Sequence, residues 1–155
     1  MKISLIQIGK TQDKTLMAFI KDYEKRLSRF IEFETITLKE AKLHKNVSKE
    51  EYKKKEAAEI HHCLKDIPFT VLLDETGKEY DSKVFAKYTN KLLEQHPHIS
   101  FLIGGAYGFH QSIYELGLPK IALSKMTFTH QWSRLILIEQ LYRAFTIKMN
   151  IPYHH

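Results

Sequence analysis

Cysteine, proline and glycine are all scarce in this 155-residue chain, at one, four and six residues. The single cysteine, Cys63, excludes an internal disulfide framework and suits a reducing cytoplasm. With so little glycine and proline, collagen-like and low-complexity descriptions fall away. Long apolar runs are missing too. The longest nearly uncharged stretch, 95–114, is broken by Pro97, three glycines and histidines, so it cannot cross a bilayer as a helix. The apolar run at the N-terminus is too short for a signal-peptide core. What is present, 43% hydrophobic and 27% charged residues, excludes disorder. One globular domain over 1–155, soluble and cytoplasmic, is expected.

Charge of one sign is in excess. The formal net charge is +6. Residues 1–116 contribute only +2 of it. Residues 117–155 carry Lys120, Lys125, Arg134, Arg143 and Lys148 against Glu139 alone. A positive field concentrates anionic partners, of which nucleic acid is the commonest, although the same charge also serves solubility.

The hydrophobic periodicity reads as strands alternating with helices. Strands are predicted over 2–8, 33–38, 68–73, 99–103 and 120–123. Helices are predicted over 13–30, from the capping box Ser48-Lys-Glu-Glu51 to about Lys65, from Asp81 or Ser82 to Gln95, over 111–116 and over 131–148. Residues 41–47 read as a polar loop and Thr76-Gly77 as a turn. The later strands are apolar on both faces. This implies an α/β fold with a mostly parallel sheet covered by helices on both faces. Ligands in such sheets bind beyond the carboxyl ends of the strands, which selects the loops after Leu73, Ile103 and Leu123. The last helix carries two apolar stripes. Leu135, Ile138, Tyr142, Phe145 and Met149 form one, and Leu137, Leu141 and Ala144 the other. One stripe suits the sheet and the second suits either a partner subunit or the same core.

Several short motifs lead nowhere. Gly9-Lys10-Thr11 resembles the end of a phosphate loop, but the glycine required five residues earlier is Ser4. Gly104-Gly105-x-x-Gly108 follows a strand without matching the dinucleotide fingerprint. His61-His62-Cys63 are adjacent on a helix and point apart, so no metal is expected. The segment Leu123-Ser-Lys-Met-Thr-Phe-Thr-His-Gln131 is the sharpest feature. It joins a buried strand to a buried helix and carries hydroxyls, a lysine and a histidine among apolar residues, as a ligand pocket does.

Ile103 to His110, Leu123 to Gln131, Arg134 with Ile138 to Phe145, and the terminal Pro152-Tyr-His-His155 together resemble the ribosomal large subunit methyltransferase H family. This is a SPOUT-class group of S-adenosylmethionine-dependent RNA methyltransferases. The N-terminal strand and Leu72-Leu73-Asp74-x-x-Gly77-Lys78 match as well, so the resemblance covers the whole chain. It implies a deep trefoil knot near the C-terminus, a homodimer, and methylation of N3 of a pseudouridine in 23S ribosomal RNA within the assembled ribosome. The cofactor positions it implies are Leu73, Gly104, Leu123, Ser124, Lys125, Met126, Thr127 and Phe128. One departure is Thr129, where the family usually has proline; a proline would stiffen that loop.

The pseudouridine N3 carries an imide proton that must leave before the nitrogen attacks. On this resemblance His154, beside Tyr153, is expected to assist that deprotonation, with His130 as a second candidate. Arg134 is expected to bind phosphate or stabilise the developing anion. A non-catalytic basic RNA-binding protein and a nucleotide-dependent α/β enzyme are the alternatives to this reading. Titration with S-adenosylmethionine separates the first of these from a methyltransferase.

Overall fold

The computed structural model describes residues 1–42 and 46–154, so part of the predicted 41–47 loop and the terminal His155 lie outside the described residues. Ten elements follow in order. They are β1 (Lys2–Ile8), α1 (Lys14–Leu27), β2 (Glu32–Leu38), α2 (Lys49–Leu64) and β3 (Thr70–Glu79), then α3 (Ser82–Gln95), β4 (His98–Ile103), α4 (Gln111–Tyr114), β5 (Lys120–Ala122) and α5 (His130–Lys148). The strands form one sheet in the order β2-β1-β4-β3-β5, and every pairing is parallel. Parallel neighbours require crossovers, and the helices supply them.

Polar caps start the helices where the sequence places them. Asp13, Ser48, Asp81 and Thr129 each accept a hydrogen bond from the backbone N–H three residues on. At Ser48 the box is reciprocal, because the Glu51 carboxylate also accepts from the Ser48 N–H at 3.0 Å. Ser48→Ala removes one side of it. The expected loss is about 1 kcal/mol, seen as a melting temperature lower by roughly 3 °C in a scanning calorimeter.

Alternation along β1 divides the core. Ile3 and Leu5 face a cluster with α1, α3 and α5, which includes Phe101, Leu137, Ile138 and Leu141. Ile6 and Ile8 face the other side, against Ala57 and Ile60 of α2 and Ile113 of α4. Helices therefore cover both faces. Most of the two apolar stripes of α5 are used within the chain: Leu137, Ile138, Leu141, Ala144 and Phe145 are buried. Its free apolar surface lies at its ends, at Trp132 and Met149, which are 52% and 53% exposed.

The expected turn at Thr76-Gly77 does not form. β3 continues to Glu79 and bulges instead: Leu73 and Lys78 both pair with Ile121, and the residues between them are looped out. Gly77 permits this closeness, since a Cβ there would stand 2.5–2.7 Å from the Ile121 backbone. A Thr-Gly pair signals a turn and a bulge equally well in sequence.

Candidate functional site

The bulge of β3 and the carboxyl ends of β4 and β5 open into one cavity of about 1030 Å³. Leu73, Asp74, Glu75 and Thr76 form one wall, and Gly104 to Phe109 a second. Leu123, Ser124 and Met126 to His130 form the third. Seven of the eight residues that the resemblance assigns to a cofactor thus line the same space. The exception is Lys125, which is exposed and outside the lining.

Local bonding shapes each wall. In the β3 bulge, Asp74 Oδ1 accepts from the Thr76 N–H at 2.8 Å, and Tyr114 Oη donates to Asp74 Oδ2 at 2.6 Å. Burial lifts this carboxyl, but the bonds from Thr76 and Tyr114 outweigh it and hold Asp74 below the usual carboxylate range. Lys120 Nζ donates to Thr76 Oγ1 at 2.8 Å, which ties the start of β5 to the bulge. In the second wall Gly108, with φ +74°, donates from its N–H to the Gly105 carbonyl and turns the loop tightly. The third wall is latched to the first by Thr127 Oγ1, which donates to Glu75 Oε2 at 2.7 Å. Thr129 caps α5 by accepting from the Trp132 N–H, at a long 3.5 Å. The residue in the proline's place thus anchors the loop through its side chain.

Several expected site residues are not brought to this cavity. Arg134 was expected to touch phosphate or a developing anion. Instead it is fully buried. Its Nη1 donates to Thr11 Oγ1 at 2.9 Å and its Nη2 to the Ile8 carbonyl, so its fork is committed to the end of β1. Burial lowers its pKa to about 10, which leaves it charged at neutral pH. His130 does line the cavity. Burial, then the nearby Arg134 charge, hold its pKa below the ordinary value, so it is a neutral imidazole at pH 7.

Tyr153 and His154 lie elsewhere. Asn150, with φ 53°, reverses the chain after α5, and Ile151 N–H donates to the Thr146 carbonyl. The tail then folds back along α5. The Tyr153 hydroxyl donates to Glu139 Oε1 at 2.9 Å and lies 3.0 Å from the Tyr23 hydroxyl. Arg143 packs over the Tyr153 ring at 4.7 Å, with Nη1 3.4 Å from His154 Nδ1. Neither Tyr153 nor His154 lines the cavity, nor does any of these partners. Glu139 is six residues past Ser133, the last residue of α5 that lines the cavity, or roughly 9 Å along the helix.

Sequence reasoning also missed the acidic groups around the cavity. Asp74 and Glu75 line it, and Glu56 of α2 lies behind Gly105. The first two sat inside a segment read as a turn. Glu56 sat in a lysine-rich helix, where its neighbours in sequence suit an outer RNA contact or a solvated face equally well. Among the described residues no group of three His, Cys, Asp or Glu side chains stands close enough to hold a metal ion. No described helix is long and apolar enough to cross a membrane.

Known proteins resemble this chain. The family model described as "Predicted SPOUT methyltransferase" matches residues 1–154. The chain is 46% identical to the ribosomal RNA large subunit methyltransferase H of Parabacteroides distasonis, covering 100% of this chain and 99% of that one. It is 45% identical to the protein of the same name from Flavobacterium johnsoniae, with the same coverage. Two solved structures share the fold at low identity. One is a protein of Legionella pneumophila determined with its bound cofactor SAM, at TM-score 0.52 and 15% identity, covering 92% of this chain and 66% of that one. The other is a methylase family protein of Haemophilus influenzae Rd KW20, at TM-score 0.53 and 11% identity, covering 99% and 70%.

Proposed function

Since the chain belongs to the SPOUT methyltransferase family, we propose that it methylates large-subunit ribosomal RNA with S-adenosylmethionine. The target is N3 of a pseudouridine in 23S rRNA, within the assembled ribosome. The observation that carries this reading is the end-to-end 46% identity to a ribosomal RNA large subunit methyltransferase H. The cavity suits the cofactor. Gly104 and Gly105 line it with bare backbone. A Cβ would crowd the Phe109 ring at Gly104, at 3.2 Å, and Glu56 behind the wall at Gly105, at 2.6 Å. Leu73, Leu123, Met126 and Phe128 offer apolar contact for a base, while Ser124, Thr127 and Glu75 offer polar groups for a sugar and an amino-acid tail.

When bound, the cofactor supplies an electrophilic methyl on a sulfonium. The protein's part is chiefly alignment, because an in-line displacement needs no covalent attachment to the chain. A proton acceptor for N3 is also needed, and His154 beside Tyr153 takes that role. In its own chain the tail is pinned on α1 and α5, away from the cavity. The enzyme therefore works as a homodimer in which the tail of one copy serves the cavity of the other. An apolar depression at the cavity end of α5, between Trp132, Leu135, Leu16 and Phe19, supports that contact, with Trp132 and Phe19 more than half exposed. The C-terminal trefoil knot and a cytoplasmic location belong to the same reading. Support for the knot comes from membership of the family alone.

The deciding measurement is a map of methylated pseudouridine in 23S rRNA from cells with and without this protein. Loss of one N3-methyl mark on deletion, and its return on complementation, is the expected result; an unchanged map overturns the reading. Calorimetric titration with S-adenosylmethionine gives saturable binding for a methyltransferase and none for a purely RNA-binding protein.

A further inference from the structure

Behind the glycine wall of the cavity lies a carboxyl that the reaction outlined above does not use. Glu56 is only 2% exposed, and its Oε1 has no hydrogen-bond partner among the described residues. A buried carboxyl with an unpaired oxygen is costly and calls for an explanation, of which a functional role is one. Both of its oxygens face the Gly105 backbone, within 2.6 and 2.9 Å of where a Cβ would be. Gly105 itself lines the cavity, so its main chain stands between Glu56 and that space.

The charges around Glu56 do not cancel. From its own helix come Tyr52 and Lys53, and Lys53 is already paired with Glu50. From the segment after β2 comes Glu40, which accepts from the Tyr52 hydroxyl at 3.2 Å. From α5 come Arg134 and His130, both of which feel the Glu40 charge. The glycine loop supplies backbone only. Arg134 offsets one of the two carboxylates, and His130 is neutral at pH 7. Among the described residues one negative charge is left without a cation, and burial lifts the Glu56 carboxyl to about 7, against the pull of the Tyr52 hydroxyl and the Ala41 backbone N–H.

We propose that Glu56 is the missing cation's partner: a buried countercharge that acts through the Gly105 backbone on the positive sulfonium of the bound cofactor. It thereby sets the preference for S-adenosylmethionine over the neutral thioether product, S-adenosylhomocysteine. Glu56 is a positioning and selectivity residue that touches neither ligand directly. Methyl transfer removes the positive charge, so the same carboxylate weakens retention of the product relative to the substrate. This inference rests on the reading of the cavity as an S-adenosylmethionine site.

The test is isothermal titration of each ligand into the wild-type protein and into Glu56→Gln at pH 6, 7 and 8. The two ligands share their amino-acid and adenosine parts, so the ratio of their dissociation constants isolates the sulfonium. In the wild type, the preference for S-adenosylmethionine is expected to rise about fivefold from pH 6 to pH 8 as the carboxyl loses its proton. In Glu56→Gln it stays flat and lies about tenfold below the ionised wild type. A wild-type ratio that does not change with pH overturns the proposal whether or not the variant folds. An equal rise in Glu56→Gln also overturns it, by assigning the effect to another group such as His130. If the wild type binds neither ligand, the reading of the cavity itself fails.

Discussion

Arg134→Ala is expected to destabilise the protein by about 3 kcal/mol, among the larger stability effects of a single side chain here. Arg134 heads the fully buried side chains by volume. It ties α5 to the end of β1 through Thr11 Oγ1 and the Ile8 carbonyl. Truncation leaves both acceptors buried without a donor and opens a void between the helix and the sheet. A domain of this size has only about 5–15 kcal/mol in hand. The urea midpoint is therefore expected to fall sharply, with the m-value unchanged. Arg134→Lys keeps the charge but loses the planar fork, and lies between the two. RNA affinity, in the fraction that remains folded, keeps its salt dependence, because a buried guanidinium neutralises no phosphate. A variant of wild-type stability with a shallower salt slope would restore Arg134 to the RNA-binding role that the sequence suggested.

Arg134 also illustrates what can be read in a sequence. An arginine in a basic C-terminal quarter looks like a phosphate ligand, because charge composition reports sign and not depth. Nothing local reveals that Thr11 and Ile8, more than 120 residues away in the chain, accept from its Nη1 and Nη2. Where the determinant is local, the reading was close. The helix starts at Asp13, Ser48 and Asp81 are set by capping side chains a few residues from their targets. The three cavity loops followed from a general property of parallel sheets, with no need for side-chain detail. The β3 bulge failed because its cause is the β5 backbone pressing on Gly77, some 40 residues later in the chain. Glu56 failed for a similar reason. It lies among lysines in sequence, and only the packing of α2 under the glycine loop buries it. The position of the tail was illegible. Tyr-His at a terminus suggests a titratable pair, but the left-handed turn at Asn150 decides where that pair goes.

That position gives the largest functional effect. His154→Ala is expected to lower turnover on ribosomes by roughly 10²–10⁴-fold, the usual contribution of a general base, while leaving cofactor affinity unchanged. Gly104→Val, which forces a branched side chain between the loop and the Phe109 ring, is expected to abolish cofactor binding. If each tail served its own cavity, mixing the two inactive proteins would give nothing. In a homodimer with exchanged tails, a mixed dimer holds one intact pair: the His154 tail of the Gly104→Val copy beside the open cavity of the His154→Ala copy. Activity then returns to about a quarter of the wild type once subunits have exchanged, since about half the dimers are mixed and each has one working site of two. Trp132→Glu puts a charge into the apolar depression shared with Phe19. It is expected to yield monomers on gel filtration that bind the cofactor yet do not transfer methyl groups, because an intact cavity without the partner's tail lacks its proton acceptor. Full activity of such a monomer, or no recovery on mixing, would place the working tail within one chain and require it to leave Glu139 and Tyr23 during the reaction.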